Sequence, residues 1–220
     1  MPATKEKTSI GERYTMARQT GPRGKLVRKF GENIFENPKF DKILARKSYG
    51  PGQHGPGRRK RISNYGFQLR EKQKLKYMYG LQEKQFVRFF KKADRMTGKT
   101  GENLLILLES RLDNVVFRLG LAATRSAARQ LVSHKHILVN GKSVSYPAFL
   151  LRPGDEIQIK EKSRKLIVIH DSVKRIKGDI DLPWLTLDKA TLSGKFKSFP
   201  ERDHLNLNIK EQLVVELYSK

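Results

Sequence analysis

Positive charge is the feature that most limits what this chain can fold into. Lys and Arg number 46 against 22 Asp and Glu, which gives a formal net charge of +24 over 220 residues. A compact fold with this excess repels itself unless an anionic partner neutralises it. Nucleic-acid phosphate is the usual partner, because its binding releases condensed counterions. An anionic membrane is the alternative, but the longest apolar run, Leu104 to Leu108, is far shorter than the ~20 residues that span a bilayer.

The charge is concentrated in the first half of the chain. Residues 1–100 carry 26 basic and 8 acidic residues, whereas residues 101–220 carry 20 and 14. The first half therefore predicts the main phosphate-contacting surface, and the second half an ordinary folded domain with a basic face. The cysteine count is zero, which excludes disulfides and thiolate metal ligands and fits a reducing interior. Residues Met1 to Lys5 do not lead into the apolar stretch that a secretory signal contains, so we expect no such signal.

A glycine-rich segment precedes a run of cations. Residues 49–57 hold four glycines and two prolines, which argues against a helix or a central strand. Four adjacent cations, Arg58 to Arg61, follow at once and would bring guanidinium groups close to phosphates. A solvated, disordered basic tail is the alternative, but the aromatic residues Tyr49, Tyr65 and Phe67 favour an ordered segment.

Helical periodicity dominates residues 64–134. Segments 67–79 and 82–95 are rich in strong helix formers, and Gly80 separates them. An aromatic stripe at i, i+3, i+4 and i+7 predicts a core face more than a surface that stacks on bases. The stripe consists of Phe86, Phe89, Phe90 and Ala93.

Three shorter helices are expected over residues 97–134. Thr100 and Thr124 are the expected N-caps of the first and the third helix. Ser110 and Asp113 fit a capping box at the start of the second, and Gly120 fits its C-terminal end.

From residue 136 the apolar pattern changes to that of strands. Asn140-Gly141 predicts a two-residue hairpin turn. Residues 156–159 alternate as a strand does, and residues 165–170 are a further strand candidate. Beyond them, Leu182 to Leu185 is expected to anchor a returning segment, and residues 213–217 to form a last short strand or extended stretch.

A row of arginines on the second and third short helices is the most informative charge pattern. The arginines at positions 125 and 129 are four residues apart and share one helix face, opposite a face of Ala, Leu and Val. A helix with one packed face and one arginine row suits docking on an RNA backbone. The alternative is a set of solubilising surface charges. The row continues into the hairpin, and the full set of cations is Arg111, Arg118, Arg125, Arg129, His134, Lys135 and Lys142.

The block from Ser110 to Ile159 resembles the RNA-binding module named after bacterial small-subunit ribosomal protein S4. The matching segments are RLDNVVFRLG at 111–120, ATRSAARQLVSH at 123–134, VNG at 139–141 and PGD at 153–155. Other blocks resemble the S4 family itself, in the same order and over nearly the whole chain. These blocks are PGQHG at 51–55, YGFQLREKQK at 65–74, TGENLL at 100–105 and VVELYSK at 214–220.

The resemblance implies a structural constituent of the small ribosomal subunit and no enzymatic activity. It implies primary binding to a multi-helix junction of the 16S rRNA that nucleates assembly of the subunit body. It also implies contacts with ribosomal proteins S5 and S3, a place at the channel where mRNA enters, and a contribution to translational accuracy. No cofactor, small-molecule substrate or membrane partner is implied, and the expected location is the ribosome in the cytoplasm.

The same resemblance assigns residues to these contacts. For rRNA it implies the seven cations of the arginine row and its extension, together with Gln53, His54, Arg70, Lys72 and Lys74. For the mRNA channel it implies Arg58, Arg59, Lys60 and Arg61. Many family members carry a zinc-binding cysteine cluster near the N-terminus, which this cysteine-free chain lacks. Its place is filled by residues 11–29, where local packing or rRNA contacts are expected for Arg13, Arg18, Arg23, Lys25, Arg28 and Lys29.

Three patterns that suggest other chemistry have simpler explanations. Residues 93–100 approach a phosphate-binding loop, but they begin with Ala and follow a helix rather than a strand. Arg111-Leu112-Asp113 resembles the aspartate motif of RNA pseudouridine synthases, but we expect Asp113 to be the capping partner of Ser110. His134 and His136 are two apart with no further ligand nearby, so they do not predict a metal site.

The expected fold class is α+β, with a helical N-terminal domain and an extended basic arm. An inserted RNA-binding module would have two helices packed on a small antiparallel sheet. The expected parts are an extended basic segment at 1–63, the helical part of the N-terminal domain at 64–109, the module at 110–170, and a segment at 171–220 that returns to the N-terminal region.

Overall fold

A computed structural model describes residues 21–57, 61–174, 182–205 and 207–219, and it confirms the α+β fold class. Within these residues no helix is long and apolar enough to cross a membrane. The elements in chain order are α1 (Arg23–Phe30), α2 (Pro38–Arg46), α3 (Asn64–Met78), α4 (Glu83–Asp94), α5 (Thr100–Glu109), α6 (Leu112–Arg118), α7 (Arg125–Ser133), β1 (Ile137–Val139), β2 (Lys142–Ser143), β3 (Glu156–Ile159), α8 (Ile167–Lys174), β4 (Leu185–Asp188), β5 (Ser193–Phe196) and α9 (Glu211–Tyr218).

The two longer helices, α3 and α4, form where the sequence predicts them. The Ser63 hydroxyl accepts a hydrogen bond from the Gly66 amide and caps α3. Gly80 separates the two helices with a φ of 63°, a conformation that suits glycine. Phe86 and Phe90 are buried in the core, which confirms the core interpretation of the aromatic stripe.

The start of α6 differs from the expected capping box. The Ser110 hydroxyl donates to a carbonyl of α5 instead of capping α6. The backbone N–H groups of Leu112 and Asp113 donate to the carbonyl oxygens of Phe149 and Pro147, at 2.8 and 3.1 Å. A distant backbone segment therefore satisfies the orphan donors of this helix start, so the capping-box prediction was wrong.

The other helix ends agree better with the sequence. Thr124 caps α7 by accepting from the Ala127 amide, and Gly120 follows α6 with a φ of 68°. Both predictions are confirmed. Thr100 is instead the first residue of α5, with Lys99 at the N-cap.

All strands pair antiparallel in one sheet of order β2-β1-β3-β5-β4. Asn140 and Gly141 have φ values of 49° and 75°, which confirms the two-residue turn between β1 and β2. Ile157 and Ile159 of β3 are buried while their neighbours are partly exposed, so one face of the sheet covers the core.

Two segments predicted as strands are helices. Residues 165–170 enter α8, where Ile169 is buried while Ile167 and Val168 are exposed. Residues 213–217 lie in α9, which packs Val214 into the core and contacts α3 and α5. A short apolar run fits either period, and the tertiary contacts decide between them.

The segment after α8 contributes to both parts of the molecule. Trp184 is 1% exposed, and its ring centroid lies 5.8 Å from that of Phe196 in an edge-on contact. β4 and β5 extend the sheet of the module, whereas α9 lies on the helical part. The elements after α8 therefore pack on both the module and the helical part.

Replacing Gly194 by Ala tests how closely β5 approaches α6. An added Cβ would lie 2.7 and 2.8 Å from the Leu119 methyl groups and 3.0 Å from the Thr186 carbonyl oxygen. We expect Gly194→Ala to lower the free energy of unfolding by about 1–3 kcal/mol, measured by urea denaturation.

The control is Gly24→Ala in α1, where the added Cβ would meet only Ile43 at 3.6 Å. Alanine should stabilise that helix by about 0.5–1 kcal/mol. Equal unfolding midpoints for the two variants would contradict the close approach at β5.

Candidate RNA-binding surface

A buried carboxylate connects the helical part to α6. Glu109, the last residue of α5, is fully buried. It accepts hydrogen bonds from Arg118 Nε at 3.1 Å and Nη2 at 2.8 Å, and also from the Asn114 amide and the Tyr79 hydroxyl. A buried carboxylate is tolerated when its charge is paired and its oxygens are hydrogen-bonded, and Glu109 meets both conditions.

A second acid, Glu36, bridges two arginines of the module. It lies between α1 and α2, and its carboxylate accepts from Arg118 Nη1 and Arg125 Nη2, each at 3.1 Å. Arg125 also donates to Asn114 at 2.8 Å, and its guanidinium carbon lies 4.5 Å from the centroid of the Phe117 ring. The Arg118 and Arg125 side chains are only 15% and 11% exposed. Without RNA, acids and aromatic rings of the chain itself therefore hold both guanidinium groups, and contact of these two arginines with rRNA stays a prediction.

These contacts shift the pKa values of Glu109 and Tyr79. Burial alone would raise the pKa of Glu109, but the charge and hydrogen bonds of Arg118, with Arg125 beyond it, lower that pKa to about 2. Burial raises the pKa of the Tyr79 hydroxyl well above its usual value, and the neighbouring Glu109 charge raises it further. Glu109 is therefore ionised, and Tyr79 neutral, at physiological pH.

Arg111 is a structural residue. It is 2% exposed, and its Nε and Nη2 atoms donate to the two carboxylate oxygens of Asp113 at 3.0 and 2.6 Å. Its guanidinium carbon lies 5.3 Å from the centroid of the Phe89 ring. The expectation of an rRNA contact is corrected here, since RNA could not reach this group without local unfolding. Asp113 likewise serves this pair and not Ser110.

Three cations of α3 also have partners inside the protein. Lys72 is buried and pairs with Glu83, while Lys74 is buried and pairs with Glu32 at 2.7 Å. Arg70 donates to a carbonyl of α1 at 2.6 Å. Burial tends to raise the pKa of Glu83, but hydrogen bonds from Lys72 and its neighbours lower it to about 2. The rRNA-binding expectation for Lys72 and Lys74 is therefore corrected. The hydrogen bond of Arg70 connects α3 to the end of α1.

The glycine-rich loop is held in place by Arg28. Its Nε and Nη2 atoms donate to the carbonyl oxygens of Tyr49 and Gly50 at 3.1 and 2.8 Å, and its guanidinium carbon lies 4.8 Å from the Tyr49 ring centroid. Gln53 and His54 are exposed on this loop. Arg28 thus positions the loop, while Gln53 and His54 stand at the surface.

The remaining predicted site residues divide by exposure. Arg23 and Arg129 are partly buried, and Arg23 donates to the Ser126 hydroxyl of α7. The exposed residues are Lys25, Lys29, Arg61, His134, Lys135 and Lys142. Five predicted residues lie outside the described part of the chain: Arg13, Arg18, Arg58, Arg59 and Lys60.

The turn after β3 adds cations that the sequence analysis missed. Lys160, Lys162 and Arg164 are exposed, and the Lys160 amide donates to the His136 carbonyl beside the α7–β1 turn. The alternation of cations in KEKSRK at 160–165 was the available signal. Burial lowers the pKa of His136, and nearby His134 and Lys160 lower it further. In the described residues, no three His, Asp or Glu side chains come together as metal ligands.

An α+β fold with this helix-and-sheet module and exposed cations has the features expected of an RNA-binding protein. Residues 18–109 match the family described as Ribosomal protein S4/S9 N-terminal domain, and residues 110–157 match the S4 domain. The chain is 55% identical to small ribosomal subunit protein uS4 of Parabacteroides distasonis, 54% to that of Porphyromonas gingivalis and 49% to that of Cytophaga hutchinsonii. Each match spans 205 residues, which is 93% of this chain and 100% of the relative. The chain belongs to the uS4 family of structural, non-enzymatic proteins of the small ribosomal subunit.

Replacing Glu109 by Gln tests the buried pair through its pH dependence. At neutral pH the variant should lose roughly 3 kcal/mol of stability, because Arg118 keeps a charge that has lost its buried partner. The folded-state pKa of Glu109, about 2, lies below the ordinary value of 4.5. The carboxylate's contribution is therefore complete above pH 4.5 and is lost as the pH falls towards 2. Urea unfolding at several pH values should show the gap to wild type closing over this window.

The control is Glu102→Gln, which removes a surface pair with exposed Lys99. That variant should unfold at nearly the same urea concentration as wild type at every pH, because solvent screens the exposed pair. A gap for Glu109→Gln that stays constant from pH 7 to pH 2.5 would contradict the assignment.

Proposed function

We propose that this chain is a primary 16S rRNA-binding protein that nucleates assembly of the body of the small subunit. Its family membership supports a structural place in that subunit. The observation that supports rRNA binding is that the cations of the module fall into two groups, those paired within the chain and those exposed. Arg111, Arg118 and Arg125 have acidic partners within the chain, whereas Lys135 and Lys142 are exposed on the module. Phosphate is the anion that these surface cations would meet in a ribosomal particle.

The proposed interface reads the positions of phosphates at an RNA junction and makes little use of base edges. Lys and Arg outnumber Asn and Gln in the basic blocks, and cations chiefly contact the backbone. The glycine-rich loop would bring backbone groups and His54 close to the RNA. The proposed contacts within the described residues are Arg23, Lys25, Lys29, Gln53, His54, Arg129, His134, Lys135 and Lys142; Arg13 and Arg18 complete the set.

Salt dependence and charge reversal test this proposal together. The affinity for a fragment of 16S rRNA containing a multi-helix junction should fall steeply between about 50 and 200 mM salt. Lys135→Glu combined with Lys142→Glu should weaken binding and reduce the slope of log K against log salt by about 2, since two phosphate contacts are lost. Fluorescence anisotropy at several salt concentrations measures both quantities.

The matched control is Lys91→Glu with Lys92→Glu, two exposed cations of α4 that lie outside the proposed set. It changes the net charge equally, so its smaller effect would separate local contact from overall charge. A salt-independent affinity, or equal losses in the two double variants, would refute the proposed interface.

We further propose that residues 58–61 contact mRNA at the channel where it enters the subunit. Ribosomal proteins S5 and S3 would be the neighbours there, and contact with S5 would contribute to translational accuracy. The ribosomes concerned would be cytoplasmic. Arg61 is exposed at the start of the segment that leads into α3, which suits contact with a passing strand. This proposal rests on the family resemblance and on the density of charge in the run.

Alanine at all four positions, Arg58 to Arg61, should slow passage of structured mRNA and leave subunit assembly near normal. The Lys135 and Lys142 reversal should do the opposite, because it acts on the rRNA contact. Sucrose-gradient sedimentation measures assembly, and a strand-displacement assay on purified ribosomes measures passage. Assembly failure in the alanine variant comparable to that of the reversal would contradict the channel role, and wild-type chain sedimenting free of small subunits would contradict the whole proposal.

A further inference from the structure

Glu36 is an acid placed among cations of the module. Its carboxylate reaches from the α1–α2 loop to Arg118 and Arg125. Its side chain is 35% exposed, whereas those of the two arginines are 15% and 11% exposed. Glu36 therefore lies on the solvent side of the two guanidinium groups.

Glu36 and Glu109, the two acids that contact these arginines, differ in how easily another anion could replace them. Glu109 is fully buried on helix α5 and accepts hydrogen bonds from Arg118, Asn114 and Tyr79. Glu36 lies on a loop and accepts one hydrogen bond from each arginine. Its φ of 53° is a conformation that L residues with side chains adopt rarely. Only Glu36 can swing away without unfolding a helix.

The surroundings of Glu36 include a hydrogen-bond donor that its carboxylate does not satisfy. Arg125 Nη1 is buried and has no hydrogen-bond acceptor within the described structure. Arg23, whose guanidinium carbon lies 5.4 Å from the centroid of the neighbouring Phe35 ring, donates to the Ser126 hydroxyl in the first turn of α7. Two arginines, one of them the first residue of α7, therefore meet at Glu36, and a third arginine contacts the ring of the preceding residue, Phe35.

We propose that Glu36 is a placeholder for a backbone phosphate of the bound RNA. In the free protein its carboxylate, together with that of Glu109, balances the charges of Arg118 and Arg125, which would otherwise repel each other. On binding, a phosphodiester takes its place between the two arginines, and Glu36 turns out into solvent. One negative charge replaces another, so the charge of the cluster is unchanged, while the non-bridging oxygens on the tetrahedral phosphorus can accept from Arg125 Nη1, which the carboxylate leaves unsatisfied. The inference rests on the proposed binding of rRNA.

Glu36→Gln tests the exchange against a matched control. Because the amide no longer competes for the arginines, the variant should bind the junction RNA about fivefold more tightly than Glu161→Gln. Glu161 is exposed in the turn after β3, and its replacement changes the net charge by the same amount. Unchanged affinity relative to the control would overturn the placeholder role. Weaker binding by Glu36→Gln, as expected if Glu36 only holds the two halves together, would overturn it as well.

Inorganic phosphate gives an independent measurement without RNA. At matched ionic strength, replacing chloride by phosphate should raise the Tm of Glu36→Gln by roughly 2–4 °C more than that of Glu161→Gln, because phosphate binds the vacated site. If Glu36→Gln does not fold, Glu36→Asn replaces it, since asparagine tolerates a positive φ. Equal phosphate stabilisation of variant and control would contradict the site.

The wild-type protein separates this inference from the proposed function. Salt-dependent junction binding by wild type, with no gain in Glu36→Gln, would leave the rRNA role intact and remove the placeholder alone. No junction binding by wild type would remove the rRNA role first.

Discussion

The pair between Glu109 and Arg118 is the interaction on which the arrangement of the two halves depends. Glu109 ends the last helix of the region that matches the S4/S9 N-terminal family, and Arg118 ends the first helix of the S4 domain. Burying these charges is costly, and their attraction offsets that cost only in a narrow geometry. Tyr79 and Asn114 supply that geometry by occupying the remaining carboxylate lone pairs. A shift of either half would leave a buried charge unpaired, so the pair favours one relative position.

A fixed relative position makes the surface cations useful. Phosphates at an RNA junction have set separations, and cations on a rigid scaffold can match them without an added ordering cost. Within the module, the arginines at 111 and 125 stack on aromatic rings, while the lysines at 135 and 142 are exposed. The chemistry of the two groups explains why the arginines are packed and the lysines exposed. A planar guanidinium stacks on aromatic rings and forms paired hydrogen bonds, whereas an ammonium is strongly hydrated.

Local chemistry made much of the fold predictable from the sequence. The φ > 0 turn at Asn140-Gly141, the cap at Thr124 and the aromatic stripe of α4 depend on residues close in the chain, and all three were confirmed. The helices α8 and α9 were not predicted, because a short apolar run such as 213–217 fits two periods until its packing partner is known. The fate of Arg111 depended on Asp113 and Phe89 meeting in space, and charge patterning assigned it to RNA instead. Arginine serves both in buried ion pairs and in contacts with RNA, and its spacing in the sequence does not show which of the two a given arginine makes.

The internal pairs also change what the net charge means. Glu32, Glu36 and Glu83 lie in the half of the chain that has few acids, and each is engaged with cations of the protein. Glu36 and Glu83 each contact two cations, and the excess of +24 is unchanged by this pairing. An acid that contacts a cation of the protein contributes little negative potential elsewhere on the surface, because the two charges largely cancel at a distance. The surplus cations therefore set the potential that an approaching RNA meets.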